Sequence, residues 1–167
     1  MDDPANSRYS RAPELEDLVD LCRQLNAEGV RYMLIGGFAV ILHGSVRGTK
    51  DIDLLLDASV QNIRALKRAM SKLEDNAVAL IDDDDVRTYQ VVRVADEIVV
   101  DLMASACGID YDTAAARGLE HMEIDGVTIP LASKPLLILM KDTIRDSDRS
   151  DVAFLRVLLE EEGKAGR

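Results

Sequence analysis

The 167-residue chain has no tryptophan, only 4% aromatic residues, two cysteines and four prolines. With so few rings, any core must be built from Leu, Ile, Val and Ala. Cys22 and Cys107 are too few for a disulfide framework, and each sits among apolar neighbours, so both are expected to be buried thiols. Positive charge is also short. Thirty-one acids face 20 bases, a formal net charge of -11. That balance argues against broad electrostatic binding to nucleic acid or to an anionic membrane, while leaving room for a local basic pocket for a nucleotide or a tRNA end. No apolar run approaches the length of a membrane span. The first residues, MDDPANSRYS, lack the basic-then-apolar layout of a secretion signal, so a reducing cytoplasm is expected.

What is present is enough for a folded domain. At 47% hydrophobic, the chain can bury a real core, and its length fits one domain with a small helical appendage. Residues 1–11 read as a loose N-terminus, 12–132 as the core, and 133–167 as C-terminal helices packed on it. The expected class is α/β (α+β), a mixed sheet flanked by helices with a short C-terminal helical pair.

The chemistry gathers between Tyr32 and Asp57. Tyr32 to Ile35 suit a buried strand ending at Gly36-Gly37, and Phe38 to Leu42 read as the first turns of a helix. A polar turn, His43 to Lys50, leads into a second strand opening Asp51-Ile52-Asp53. Carboxylates at i and i+2 of a strand point to one face, roughly 7 Å apart. Like charges so placed repel, and a divalent cation between them is the natural remedy. The glycines let the backbone approach a ligand, and helix N–H groups there can hold phosphate oxygens. His43 beside Gly44 reads as a hydrogen-bonded structural histidine.

The remainder divides into further elements. Pro13, Glu14 and Glu16 start a helix whose apolar positions recur to Leu25, with Gly29 as its stop. Ser59 caps a helix to about Leu73, with Arg64, Lys67, Arg68 and Lys72 on its solvated side. Ala77 to Ile81 read as a strand. Asp82 to Asp85 read as an exposed acidic turn, since they lack calcium-loop spacing. Arg87–Val94 and Glu97–Met103 read as a hairpin turning at Ala95-Asp96. Asp101 stands alone in that second apolar run. A carboxylate there is costly unless it is capped by backbone N–H groups, paired, or bound to metal. A short helix follows from near Asp110 to Arg117. Asp125-Gly126 joins Leu119–Ile124 to Val127–Pro130. Ser133 and Pro135 open a helix to about Arg145, and a last helix runs from about Arg149 to Glu162.

The ordered set Gly36-Gly37, Arg47-Gly48-Thr49 and Asp51-Ile52-Asp53 resembles the signature of the nucleotidyltransferase superfamily with the DNA polymerase beta-like fold. Its flavour is most similar to the AbiEii/AbiGii toxin-type branch. The resemblance implies transfer of a nucleoside monophosphate from an NTP such as ATP to a hydroxyl, releasing pyrophosphate. The acceptor could be a tRNA end, a protein or a small molecule. It implies two Mg²⁺ ions, with Mn²⁺ as a substitute, held by Asp51, Asp53 and, as third acid, Asp101. Gly36, Gly37, Arg47, Thr49, Lys50, Lys141 and Asp151 would bind the nucleotide, with Arg145 and Asp148 in neighbouring motif places. At Gly37 many active relatives carry Ser, so backbone N–H groups would have to replace its hydroxyl. The alternative is a non-catalytic nucleotide-binding or antitoxin-like protein of the same fold, engaging the partner protein of a toxin–antitoxin pair.

Overall fold

A computed structural model of the protein describes residues 10–166. The expected loose N-terminus lies outside the described residues up to position 9. Residues 10 and 11 are fixed instead: Ser10 Oγ donates to the Asp96 carbonyl at 2.5 Å, and Arg11 forms a parallel bridge with Ile98.

Helix α1 (Leu15–Ala27) buries Leu18, Val19, Leu21, Cys22 and Leu25. The apolar runs at Tyr32 and Ile52 form strands β1 (Tyr32–Ile35) and β2 (Ile52–Leu56), separated by helix α2 (Gly36–Leu42). Helix α3 (Val60–Met70) starts where the Ser59 hydroxyl accepts from the Asn62 N–H. After a 3-10 helix and a one-turn helix, α4 (Asp85–Thr88), come β3 (Val92–Ala95), β4 (Val99–Met103) and a minute ribbon, β5 (Ser105–Ala106) with β6 (Ile109–Asp110). Helix α5 (Tyr111–Gly118), strands β7 (Leu119–Ile124) and β8 (Val127–Ala132), and helices α6 (Lys134–Met140) and α7 (Asp146–Ala165) complete the chain.

Six strands form one mixed sheet in the order β3-β4-β2-β1-β8-β7. β1 with β2, β3 with β4 and β7 with β8 run antiparallel; β2 with β4 and β1 with β8 run parallel. The central strands β1 and β2 are apolar almost throughout because they are covered on both faces. Leu54, Leu55 and Leu56 are all essentially inaccessible. Helices α1 and α3 pack together with α1 against β8, while α2 touches β1, β2, α6 and α7. The expected mixed sheet flanked by helices is what forms.

Four local expectations fail for identifiable reasons. Ala77–Leu80 is a 3-10 helix, not a strand, because the buried Asp96 carboxylate accepts the N–H groups of Asp75 and Ala77 at 2.9 and 2.8 Å. The strand expected from Arg87 begins only at Val92, since the acidic turn winds into α4. Helix α6 stops at Met140 rather than near Arg145, and α7 begins at Asp146, with acids in its first turn. Cys107 is exposed, at a tight turn with φ +48°, whereas Cys22 is buried as expected.

Candidate active site

Register builds the site. In the parallel β2–β4 pair Asp53 lies opposite Asp101, and in the antiparallel β3–β4 pair Arg93 lies opposite Asp101. Ile35, the residue before the Gly-Gly turn, is the partner of Asp53 on the other side. One row across the sheet therefore reads Ile35, Asp53, Asp101, Arg93. Asp51, two positions before Asp53, joins the same face. One carboxylate oxygen from each of Asp51, Asp53 and Asp101 lies within 4.8 Å of the others. It is the one such cluster among the described residues.

The acids are costly where they stand. Burial, then the charges of Asp51 and Asp101, push the Asp53 carboxyl up to about 7. Burial, then Asp101, also raises Asp51, against the pull of Arg93. The guanidinium of Arg93 supplies the compensating charge: it donates to both oxygens of Asp101 at 2.9 Å and to Asp51 at 3.2 Å. The bidentate grip on Asp101 raises the Arg93 pKa in turn.

Gly36 has φ +71°, and a Cβ there would overlap the Asp53 carboxylate, whose Cγ would be 2.7 Å away. The residue must be glycine for both reasons. A Cβ on Gly37 would lie 3.0 Å from Thr49 Oγ1 and 3.3 Å from a guanidinium nitrogen of Arg47. The space a serine would enter is thus already filled by polar side chains of the loop before β2. Thr49 in turn donates to the Asp51 carbonyl at 3.1 Å, tying that loop to the acidic strand.

The C-terminal helices close the opposite wall. Asp151, 4% exposed, receives Arg47 at 2.6 Å and Lys141 at 2.9 Å. Lys141 also reaches Asp148 at 3.3 Å, and the Thr143 hydroxyl donates to Asp148 at 2.6 Å. Burial raises the Asp148 carboxyl, but the Thr143 hydrogen bond and the Lys141 charge outweigh it and leave the group below the usual range. This knot turns the chain at Lys141, which is why α6 ends there.

Gly36, Gly37, Arg47, Thr49, Lys141 and the three acids all line one cavity of about 340 Å³. That lies within the roughly 300–1,000 Å³ of small-ligand sites. Asp151 stands behind the wall, gripping two of its cations, while Lys50 is exposed and does not line the cavity. Arg93 is a residue that sequence reasoning missed. So is Cys107, a cavity-lining residue whose thiol donates to the Met140 carbonyl at 3.0 Å. His43 plays the structural part expected of it, with Nε2 2.9 Å from the Ala132 carbonyl oxygen.

An all-oxygen set of three converging carboxylates has the chemistry of a hard divalent cation site. The close seat that Gly36 gives Asp53 fits the same role. Asp51, Asp53 and Asp101 are the residues that would hold such an ion.

No helix among the described residues is long and apolar enough to cross a membrane. No curated protein matches the chain significantly in sequence. Among solved structures it is similar to a candidate nucleotidyltransferase of Thermotoga maritima, at 17% identity over 90% of this chain and 88% of that one, with a TM-score of 0.49. A family model described as "Nucleotidyl transferase of unknown function (DUF2204)" matches residues 14–164. That match spans nearly all of the chain, which therefore belongs to this nucleotidyl transferase family.

Proposed function

We propose that the protein moves a nucleoside monophosphate from an NTP to a hydroxyl acceptor and releases pyrophosphate. The observation that carries this reading is the convergence of Asp51, Asp53 and Asp101 within 4.8 Å, beside a glycine turn and the cavity-lining Arg47, Lys141 and Arg145. Asp51 and Asp53, with Asp101 completing the set, would hold the metal, with two Mg²⁺ as the natural complement and Mn²⁺ as a substitute. Bound there, the ions would neutralise triphosphate oxygens and acidify the attacking hydroxyl. Asp101 faces the same space and is the carboxylate to take the hydroxyl proton. The acceptor oxygen bonds to the α-phosphorus as the bond to the β-phosphate bridging oxygen breaks.

Arg47 and Lys141 are the cavity cations suited to the triphosphate, alongside the backbone of Gly36 and Gly37. Thr49 shapes the loop, and Asp151 fixes both cations. Lys50, at the exposed end of that loop, is suited only to an outer phosphate. The Gly36 to Asp53 stretch and the Lys141, Arg145, Asp148 and Asp151 places are those that liken the chain to the AbiEii/AbiGii toxin-type branch, so a toxin–antitoxin setting with a partner protein stays within this reading. A tRNA end, a protein hydroxyl or a small molecule would serve as acceptor.

Incubation with labelled NTPs, Mg²⁺ and total tRNA or lysate tests the reading. Label transfer that disappears in Asp53→Asn supports it. NTP binding with no transfer to any acceptor would instead favour a nucleotide-binding protein that does not turn over.

A further inference from the structure

The last helix carries a face that none of the described residues covers. Its buried side holds Asp148, Asp151 and Leu155. On the opposite side Arg149, Ala153, Arg156 and Glu160 recur at steps of three and four and are exposed. Val157 beside them is 52% exposed. The N-terminal half of α7 and two protruding aliphatic residues, Leu139 and Ile144, wall a groove of about 690 Å³. Ile144 is 88% exposed. The ion pairs α7 does make run through Asp148, Asp151 and Glu162. Among the described residues, Arg149, Arg156 and Glu160 are left without a partner.

The charges along this face are asymmetric. Arg149 and Arg156 precede Glu160 along it, while Asp146 and Lys164 stand in the opposite order at its two ends. A helix so patterned is complementary to an antiparallel copy of itself. About a two-fold axis between residues 154 and 155, Arg149 falls opposite Glu160, both on the same stripe of the helix. Asp146 then lies next to Lys164. Both salt links recur on the other side of the axis, as an isologous contact requires.

We propose that α7 pairs antiparallel with α7 of a second copy of this chain. The C-terminal half of each helix lies along the groove made by Leu139, Ile144 and the start of α7 in the other. A polyanion is a poorer occupant, because the run Glu160 to Glu162 continues the same helix. The helix is about 30 Å long. One helix face with two flanking side chains buries less than the roughly 800 Å² per partner of a standard interface. A reversible dimer, forming at roughly micromolar concentration, is the expected strength.

The test is sedimentation of the full chain over a dilution series, for wild type, Arg149→Glu, Glu160→Arg and the double exchange. The mass should double with concentration in the wild type. Each single reversal acts twice in a two-fold dimer and should weaken association about tenfold or more. The double exchange should restore it to within about threefold. All these positions are exposed, and unchanged circular dichroism would show that the variants fold. A single mass at every concentration would overturn the proposal. So would a dimer that ignores both reversals or that the double exchange does not rescue. Monomeric protein that captures a single-stranded oligonucleotide through Arg149 and Arg156 would overturn it as well. None of these outcomes bears on the catalytic reading.

Discussion

Asp53 and Asp101, 48 positions apart in the chain, are directly paired across the parallel strands β2 and β4. This pairing carries a cost, because it sets two carboxylates side by side in a largely buried row. Arg93, paired to Asp101 from the other flank, offsets part of it.

Arg93 is therefore a positioning residue with two opposite effects. In Arg93→Ala the three acids lose their internal counter-charge. The metal-free protein should lose about 1–2 kcal/mol, a modest figure because the guanidinium is largely exposed. Added Mg²⁺ should then stabilise the variant more than the wild type. Nucleotidyl transfer should still fall about tenfold or more, since Asp101 is no longer held at both oxygens. Thermal unfolding with and without Mg²⁺, alongside turnover, checks the two signs together.

Gly36→Ala should be far more damaging than an ordinary helix-start substitution. The new methyl meets the Asp53 carboxylate and sits at φ +71°. The left-handed backbone alone costs about 1–2 kcal/mol, and displacing Asp53 adds to it. We expect loss of at least about 2 kcal/mol by denaturant unfolding and no detectable transfer.

Asp151→Asn should separate binding from chemistry. It weakens the hold on Arg47 and Lys141 without touching the three clustered acids. KM for the nucleotide should rise about tenfold with a smaller change in kcat. Stability should drop by about 3 kcal/mol, as for one partner removed from a buried ion pair. A fall in kcat alone would argue against the phosphate role of these cations.

The pH dependence of the metal-free protein follows from Asp53. Its carboxyl is raised from an ordinary 3.8 to about 7. A carboxyl raised on folding favours the protonated native state. Its contribution is intact below about pH 4 and is lost as pH rises through about 7. In chelator, Asp53→Asn should match the wild type below about pH 4 and exceed it by a growing margin as pH rises to about 8. Unfolding midpoints across that range decide this, and Mg²⁺ should erase the wild-type deficit at high pH.

Much of this arrangement was legible in the sequence. The Gly-Gly turn, the acidic strand and the lone acid in a second apolar run all depend on local pattern, and local pattern survives into the fold. Arg93 was not legible because register is not local. A two-residue turn at Ala95-Asp96 would set Val94 opposite Glu97 and so Gln90 opposite Asp101. The actual hairpin closes at Ala95 and Val99, three residues around the bend, which brings Arg93 to that place. The longer bend exists because Asp96 turns inward, 3% exposed, to bind three backbone N–H groups. The end of α6 was misread for a similar reason. Helical spacing continues past Met140, but Lys141 is drawn into pairs with α7 that no window of sequence reveals.

One measurement addresses the central claim most directly: the fate of label from NTP carrying it at the α- or the γ-phosphate, with Mg²⁺ and an acceptor pool. The account predicts that α-label passes to the acceptor, that γ-label leaves as pyrophosphate, and that both events vanish in Asp53→Asn. Transfer of γ-label to the acceptor, or α-label transfer that persists in Asp53→Asn, would contradict it.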